Sequence, residues 1–398
     1  MRDVYVAGVG MTKFGRQPDR SLRDLSEDSV GTAIKDAGVI PSDIQTVFFG
    51  NAIAGLMTGQ EMVRGQSALR NIGVLGVPVI NVENACASAS TAFNLAYQAV
   101  ASGAVDVALA VGAEKMSHPD KNRAKEALAT ACDLEELAEV EARLGAEAGG
   151  ERSFFMDLYA NTARDYMAKA GATAADFAAV SVKNRFHGSF NPHAQFTTSV
   201  TLEEVMGARM IIDPLTLLMC SAIGDGSAAV VLTSAERAPS DRPRVRIAAT
   251  VMKSGFGTVG TAPHDMAARR AALEAYDISG YGPSDFHVVE CHDAAAPAEL
   301  VLYEELMLCG EGGGAELLRS GATRLGGRMP VNTSGGLLAK GHPVGASGCA
   351  QIVELSEQLW GRAGARQVEG ARVALAENGG GWIGSDSAAV VVTVLERQ

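Results

Sequence analysis

Apolar residues along this chain come in short runs separated by stretches of helical period. Val4-Tyr5-Val6-Ala7-Gly8-Val9-Gly10 is almost wholly apolar or glycine, the pattern of a strand buried on both faces. Residues 22–37 then space their apolar positions along one face of a helix. Pro41-Ser42-Asp43 turns the chain into a second strand, Thr46-Val47-Phe48-Phe49. The same order returns far downstream, with an amphipathic stretch over 267–276, the turn Pro283-Ser284-Asp285 and the run Phe286-His287-Val288-Val289. Each copy then continues alike. Pro78-Val79-Ile80-Asn81 leads to a loop, a helix over 88–100 and a strand over 105–111. Pro330-Val331-Asn332 leads to a loop, a helix from near Gly348 and a strand over 372–376. Strands alternating with helices predict an α/β fold, and the recurrence of order and spacing predicts two duplicated halves.

The halves are expected at 1–117 with 216–237, and at 245–398. Residues 118–215 break the repeat. They hold an acidic stretch over 134–147, helical patterns over 154–170 and 174–186, and a polar stretch over 181–196 with Lys183, Arg185, His187 and His193. This region reads as an insertion covering the first half. Ile223-Gly224-Asp225-Gly226-Ser227 and the apolar run after it, 228–233, read as a turn and an edge strand. The Pro- and charge-rich 238–244 reads as a linker.

Length and composition fit this picture: 398 residues at 47% hydrophobic suffice for a large buried core. The net charge of −12 argues against binding nucleic acid through bulk charge, while a local basic patch could still hold a polyanionic ligand. No apolar run of about 20 residues occurs, so no membrane span is expected. No basic and apolar leader precedes the first strand, so no signal peptide is expected. Six cysteines without CxxC spacing suggest neither a zinc site nor a disulfide framework, and point to a reducing cytoplasm.

Candidate chemistry sits in four loops. Cys86, in Asn84-Ala85-Cys86-Ala87-Ser88, stands at a helix start, where free N–H groups and the helix dipole favour a thiolate. Its own N–H could stabilise an oxyanion. The plain alternative is a small buried thiol in a turn. His342, in Gly341-His342-Pro343, is held by stiff backbone, which suits a positioned base. His292 and Asp293 follow a strand at its carboxyl end, where open α/β sheets place ligands. An imidazole N–H there could hold a thioester oxygen; a structural His–Asp pair is the alternative. Glu377-Asn378-Gly379-Gly380-Gly381 follows another strand, and its glycines let backbone approach a ligand closely. A phosphate loop is disfavoured, because no Lys-Ser or Lys-Thr follows.

Together these loops resemble the thiolase superfamily over nearly the whole chain. Cys86-Ala87-Ser88, His292-Asp293-Ala294-Ala295, Gly341-His342-Pro343 and Glu377-Asn378-Gly379 (or, one step later, Asn378-Gly379-Gly380) stand in the places of its four catalytic motifs. His292-Asp293, with Tyr303-Glu304-Glu305-Leu306 and Leu308-Cys309-Gly310 after it, is similar to the sterol-carrier-protein-2 type. The resemblance implies two βαβαβαββ halves in five αβαβα layers with an inserted loop domain. It also implies an acyltransferase of the β-oxidation kind, cleaving a 3-oxoacyl-CoA (branched or aromatic) with CoA into two acyl-CoA products. Cys86 would take the acyl group, His342 would activate it, and His292 with a water would bind the thioester oxygen. The Cys86 N–H and a fourth-loop glycine, Gly380, would form a second oxyanion hole, with Glu377, Asn378 and Asp293 completing the loops. Lys183, Arg185 and Ser334 are the implied CoA contacts. CoA is a substrate here, and no permanently bound cofactor and no metal is implied. The implied partners are acyl-CoA and CoA, a second copy in a homodimer, and a small OB-fold, zinc-ribbon protein of the kind in 2-benzoylsuccinyl-CoA thiolase-like complexes. Neither nucleic acid nor membrane is among them.

One departure matters. The family's second cysteine is missing, with Ala294 and either Glu377 or Asn378 in its usual places. Protonating the carbanion left by C–C cleavage then falls to His342, Glu377, a bound water or Cys291. Two other classes stay open: a retro-aldol lyase acting on a 3-hydroxyacyl-CoA side chain, which needs no acyl acceptor, and a non-catalytic subunit. Ala294, Ala295 and Ala296 could leave room for bulk beside the reactive carbon. Cys309 and Cys349 read as packing thiols.

Overall fold

A computed structural model describes residues 1–120, 122–144 and 153–398. The end of the acidic stretch, 145–147, lies outside the described residues. The strands are β1 (Val4–Met11), β2 (Thr46–Gly50), β3 (Val79–Val82), β4 (Val107–Glu114), β5 (Met210–Ile212) and β6 (Leu215–Thr216), then β7 (Gly226–Ser234), β8 (Val245–Lys253), β9 (Val288–Glu290), β10 (Val373–Gly380) and β11 (Ala389–Arg397). Nine of them form one sheet in the order β3-β2-β4-β7-β1-β8-β11-β10-β9, while β5 and β6 pair apart.

Taken outward from its middle, the sheet repeats itself. One side runs β1-β7-β4-β2-β3, and the other β8-β11-β10-β9. A parallel Val289–Val331 bridge stands where the second half lacks a fifth strand. The halves join through two residue pairs, Tyr5–Arg246 and Val6–Val245. The run 228–233 is not an edge. It lies within β7, which is fully buried and paired with β4 on one side and β1 on the other. An unbroken Ala/Val run without polar alternation suits a central strand, and this outweighs the turn in front of it.

Two 14-residue helices, Ser88–Ala101 and Ser347–Trp360, lie between the halves. A single apolar core joins them to Val6, Ala108 and Val230 of the first half and to Ile247, Val288 and Leu395 of the second. They pack so closely that a Cβ on Gly348 would lie 2.5 Å from the Ser90 nitrogen, a distance no side chain tolerates. The amphipathic helices Leu22–Ala37 and Ala267–Ser279 cover the outer faces and complete five layers. Between β4 and β7 the chain adds helices, among them Phe154–Ala170 and Ala174–Gly188. Thr173 and Asp176 form a capping box at the start of the second of these. The fourth motif is strand rather than loop. Glu377–Gly380 continue β10 in register with Val392–Ala389, because β11 supplies a full antiparallel partner. Among the described residues no helix is long and apolar enough to cross a membrane.

Candidate active site

The turn that presents Cys86 is strained. Ala85 sits at φ 48°, a region that L-residues with a Cβ seldom occupy. Ser88 secures it from both sides: its Oγ accepts the Asn84 N–H (2.9 Å) and donates to the Ala85 carbonyl (2.7 Å). A Cβ on Gly380 would lie 2.3 Å from the Asn84 oxygen and 2.4 Å from the Ala87 nitrogen, so only glycine lets β10 pass beneath this turn.

His342 reaches Cys86 from the other half, with Nε2 3.3 Å from Sγ. Its Nδ1 lies 2.8 Å from Ser347 Oγ, which also contacts the Pro343 carbonyl at 3.1 Å. Glu114, at the end of β4, ties this loop to the first half. Its Oε2 accepts the N–H groups of Gly345 (3.1 Å) and Ala52 (2.9 Å), and its Oε1 accepts from Asn51 Nδ2 (2.8 Å).

His292 faces His342 edge-on, with ring centroids 5.1 Å apart. Asn378 Nδ2 lies 2.9 Å from His292 Nδ1, and Asn378 Oδ1 accepts the Ser90 hydroxyl at 2.8 Å. The Ser90 hydroxyl also reaches the Ala87 carbonyl at 2.9 Å and is shared between the two acceptors, while the amide turns its NH2 to the imidazole. Nδ1 is then an acceptor, and the proton of the neutral ring sits on Nε2. Glu377 Oε2 accepts the His292 main-chain N–H at 3.0 Å. The reactive atoms of Cys86, His292 and His342 all lie within 4.8 Å of one another.

These groups line a cavity of about 910 Å³. Its walls are mostly apolar, with Phe155, Met156 and Tyr159 on one side and Ala294, Ala298, Val301 and Leu302 on the other. Burial pushes the Cys86 thiol up to about 12, helped by the Glu114 carboxylate. The N–H groups of Cys86 and Gly381 pull the other way and lose. Burial thus works against the thiolate that the helix start favours. Burial, with the neighbouring His292 and Lys340, holds His342 well below its ordinary value, and burial alone takes His292 down to about 4. The resting pair is thiol and neutral imidazole, and the proton moves only as the sulfur attacks.

Residues 4–236 match the family description "Thiolase, N-terminal domain", and 260–393 match "Thiolase C-terminal domain-like". The chain belongs to the thiolase family. An acetyl-CoA acetyltransferase of Methanothermobacter thermautotrophicus is 41% identical over 97% of this chain and 98% of its own length. The benzoylsuccinyl-CoA thiolase subunit BbsB of Thauera aromatica is 38% identical over 96% and 95%. Among solved structures, an Ltp2-ChsH2(DUF35) aldolase superposes with a TM-score of 0.80 at 26% identity, covering 99% of this chain and 98% of that one.

In this thiolase the structure brings Cys86, His342, His292, Asn378, Glu377 and Gly380 together and leaves other sequence-derived candidates outside. Lys183 is buried, bonded to Glu299 at 2.9 Å and to the Val331 carbonyl at 2.8 Å, so it offers no charge to a ligand. Ser334 is buried too, its hydroxyl on Glu290 at 2.5 Å. Arg185 stacks on Phe196 and donates to the Thr198 carbonyl, apart from the cavity lining. Asp293 points behind the site, where it accepts the Leu337 N–H (2.6 Å) and Asn184 Nδ2 (2.7 Å). Gly380 lines the cavity, yet the N–H beside the sulfur is that of Gly381. Of the three alanines, Ala294 lines the cavity and Ala295 and Ala296 do not. Glu305 was marked only for the resemblance, and Ser347 and Glu114 were not marked by any motif. Neither was Arg209, an exposed cation on the cavity lining that makes no ion pair among the described residues.

Proposed function

We propose that this thiolase cleaves a 3-oxoacyl-CoA with free CoA, through an acyl group carried on Cys86. The 3.3 Å approach of His342 Nε2 to Cys86 Sγ carries this reading. As Sγ attacks the 3-oxo carbon, Nε2 accepts its proton. The oxyanion forms beside the Cys86 and Gly381 N–H groups, and His292 Nε2–H receives the thioester oxygen as it gains enolate charge. The fatty or aromatic acyl half fits the apolar side of the cavity. Arg209, rather than Lys183, Arg185 or Ser334, is placed for the phosphates of CoA. The acyl-transferring relatives named above support thiolysis, whereas a retro-aldol cleavage would leave the Cys86–His342 pair without a task.

Two associations belong to the same reading. β3 is an outer strand with one edge unpaired and Ile80 exposed, which favours pairing with a second copy in a dimer. A small OB-fold, zinc-ribbon partner is supported by the relative named as a subunit and by the DUF35-containing aldolase. A cytoplasmic place and a role in β-oxidation complete the proposal.

Mass spectrometry of the intact protein after brief exposure to a panel of 3-oxoacyl-CoA esters tests it, with Cys86→Ala alongside. The expected result is an acyl-sized adduct on the wild type, absent from Cys86→Ala and removed by free CoA. A 3-hydroxyacyl-CoA cleaved equally well by both proteins, with no adduct, would establish a lyase instead.

A further inference from the structure

We propose that Glu377 is the acid–base group at the substrate carbon, protonating the carbanion that C–C cleavage releases and then accepting the proton of the incoming CoA thiol; this rests on the thiolytic reading above. Breaking the C2–C3 bond leaves an electron pair on C2 that must gain a proton before the first acyl-CoA departs. The thiols and imidazoles near the site are engaged. Cys86 carries the acyl group. His342 holds the thiol proton on Nε2, and its Nδ1 is on Ser347. His292 offers Nε2–H to the thioester oxygen, and its Nδ1 is taken by Asn378. Cys291 is buried outside the cavity lining, its sulfur against Asn332 Nδ2 at 3.6 Å.

Glu377 lines the cavity with one oxygen fixed and one free. Oε2 accepts the His292 main-chain N–H at 3.0 Å, which ties the carboxyl to the backbone of the residue whose imidazole holds the oxygen. Oε1 makes no hydrogen bond among the described residues and lies beside Gly379, 3.5 Å from where a Cβ on that glycine would stand. The enolate oxygen and the carbon that takes the proton are only two bonds apart. The carboxyl and the imidazole that holds the oxygen line the same cavity, which puts Glu377 within reach of that carbon. Its surroundings suit proton exchange near neutrality. Burial pushes Glu377 up to about 7. Glu305, on the same cavity, is pushed up to about 8 by burial and by the charges of Asp386 and Glu377. The charge of each carboxyl disfavours ionisation of the other, so the two do not both carry a charge readily.

The steps balance. Cys86 Sγ bonds to C3 as its proton passes to His342. The C2–C3 bond breaks, its electrons flow to C2 and the oxygen on His292, and C2 takes the proton from Glu377. The CoA thiol then gives its proton to Glu377 while its sulfur attacks the acyl carbon. The acyl–Cys86 bond breaks, and Sγ regains the proton from His342.

Deuterium uptake at C2 of acetyl-CoA in D2O isolates the carbon step, and the acyl-Cys86 adduct reports the other chemistry separately. Glu377→Gln should lower uptake about 100-fold or more. It should still form the adduct, because a thiolate leaves without help. Glu377→Asp and Glu377→Cys, which keep a proton-carrying group, should retain a measurable part of the uptake. Uptake by Glu377→Gln within threefold of wild type overturns the proposal, as does no uptake by wild type. If Glu377→Gln fails to fold, uptake by Glu377→Cys no higher than the uncatalysed rate overturns it. Loss of uptake in Glu377→Gln with no adduct on any form would uphold Glu377 and sink the acyl-enzyme instead.

Discussion

Ser347 Oγ stands 2.8 Å from His342 Nδ1 and 3.1 Å from the Pro343 carbonyl oxygen. The carbonyl can only accept, so the hydroxyl gives its one proton there and offers a lone pair to Nδ1–H. This fixes the tautomer that turns a bare Nε2 towards Cys86. Ser347→Ala should slow acylation of Cys86 by about fivefold to thirtyfold, the worth of about one to two kcal/mol of lost hydrogen bonding. Stopped-flow acylation rates check this, and an unchanged rate would show that the loop alone orients the ring.

Asn378 sets the tautomer of His292 directly, because its NH2 faces Nδ1 and leaves the ring's proton on Nε2. Asn378→Asp would place an acceptor against Nδ1, pull the proton there and strip it from Nε2. The thioester oxygen would then lose its donor. C–C cleavage should fall about a hundredfold. The adduct formed from a simple acyl-CoA should change much less. Equal losses in both assays would refute the assignment.

The resting charge state of the Cys86–His342 pair has a pH signature. With the thiol pushed up to about 12 and the imidazole held low, the neutral pair persists from mildly acid to mildly alkaline pH. Alkylation of Cys86 by iodoacetamide should rise about tenfold per pH unit between pH 7 and 9, without levelling off. A plateau reached below pH 7 would reveal a thiolate–imidazolium pair.

Glu114 bonds Ala52 and Gly345 across the join between the halves. Glu114→Ala would strand those N–H groups, along with Asn51 Nδ2, in a buried place. The expected loss is about 2–5 kcal/mol of stability, measured by urea unfolding. Glu114→Gln keeps one acceptor oxygen and should lose less. Equal midpoints for Glu114→Ala and the wild type would mean that the contacts are dispensable.

The sequence makes some of this legible and hides the rest for identifiable reasons. Cys86, His292 and His342 can be picked out because each lies in a short loop whose neighbours restrict the backbone. The two halves are visible because strand and helix periods recur in order. Lys183 misleads, since a lysine in a polar stretch reads as surface. The helix Ala174–Gly188 in fact turns it inward to Glu299, more than a hundred residues away. Glu114 acts only through Asn51, Ala52 and Gly345, far along the chain, and no local pattern records those. The central position of β7 is written in its unbroken apolar run, which the preceding Asp-Gly turn disguises.

The duplicated plan bears on descent. The turns Ala85–Ala87 and Val344–Ala346 precede matching 14-residue helices, so Cys86 corresponds to Gly345, and His342 corresponds to Glu83. Each half therefore keeps a reactive side chain at only one of the two positions, the thiol opposite Gly345 and the imidazole opposite Glu83. The pair that performs the chemistry takes one member from each half. A gene encoding the first half alone carries the thiol without its base.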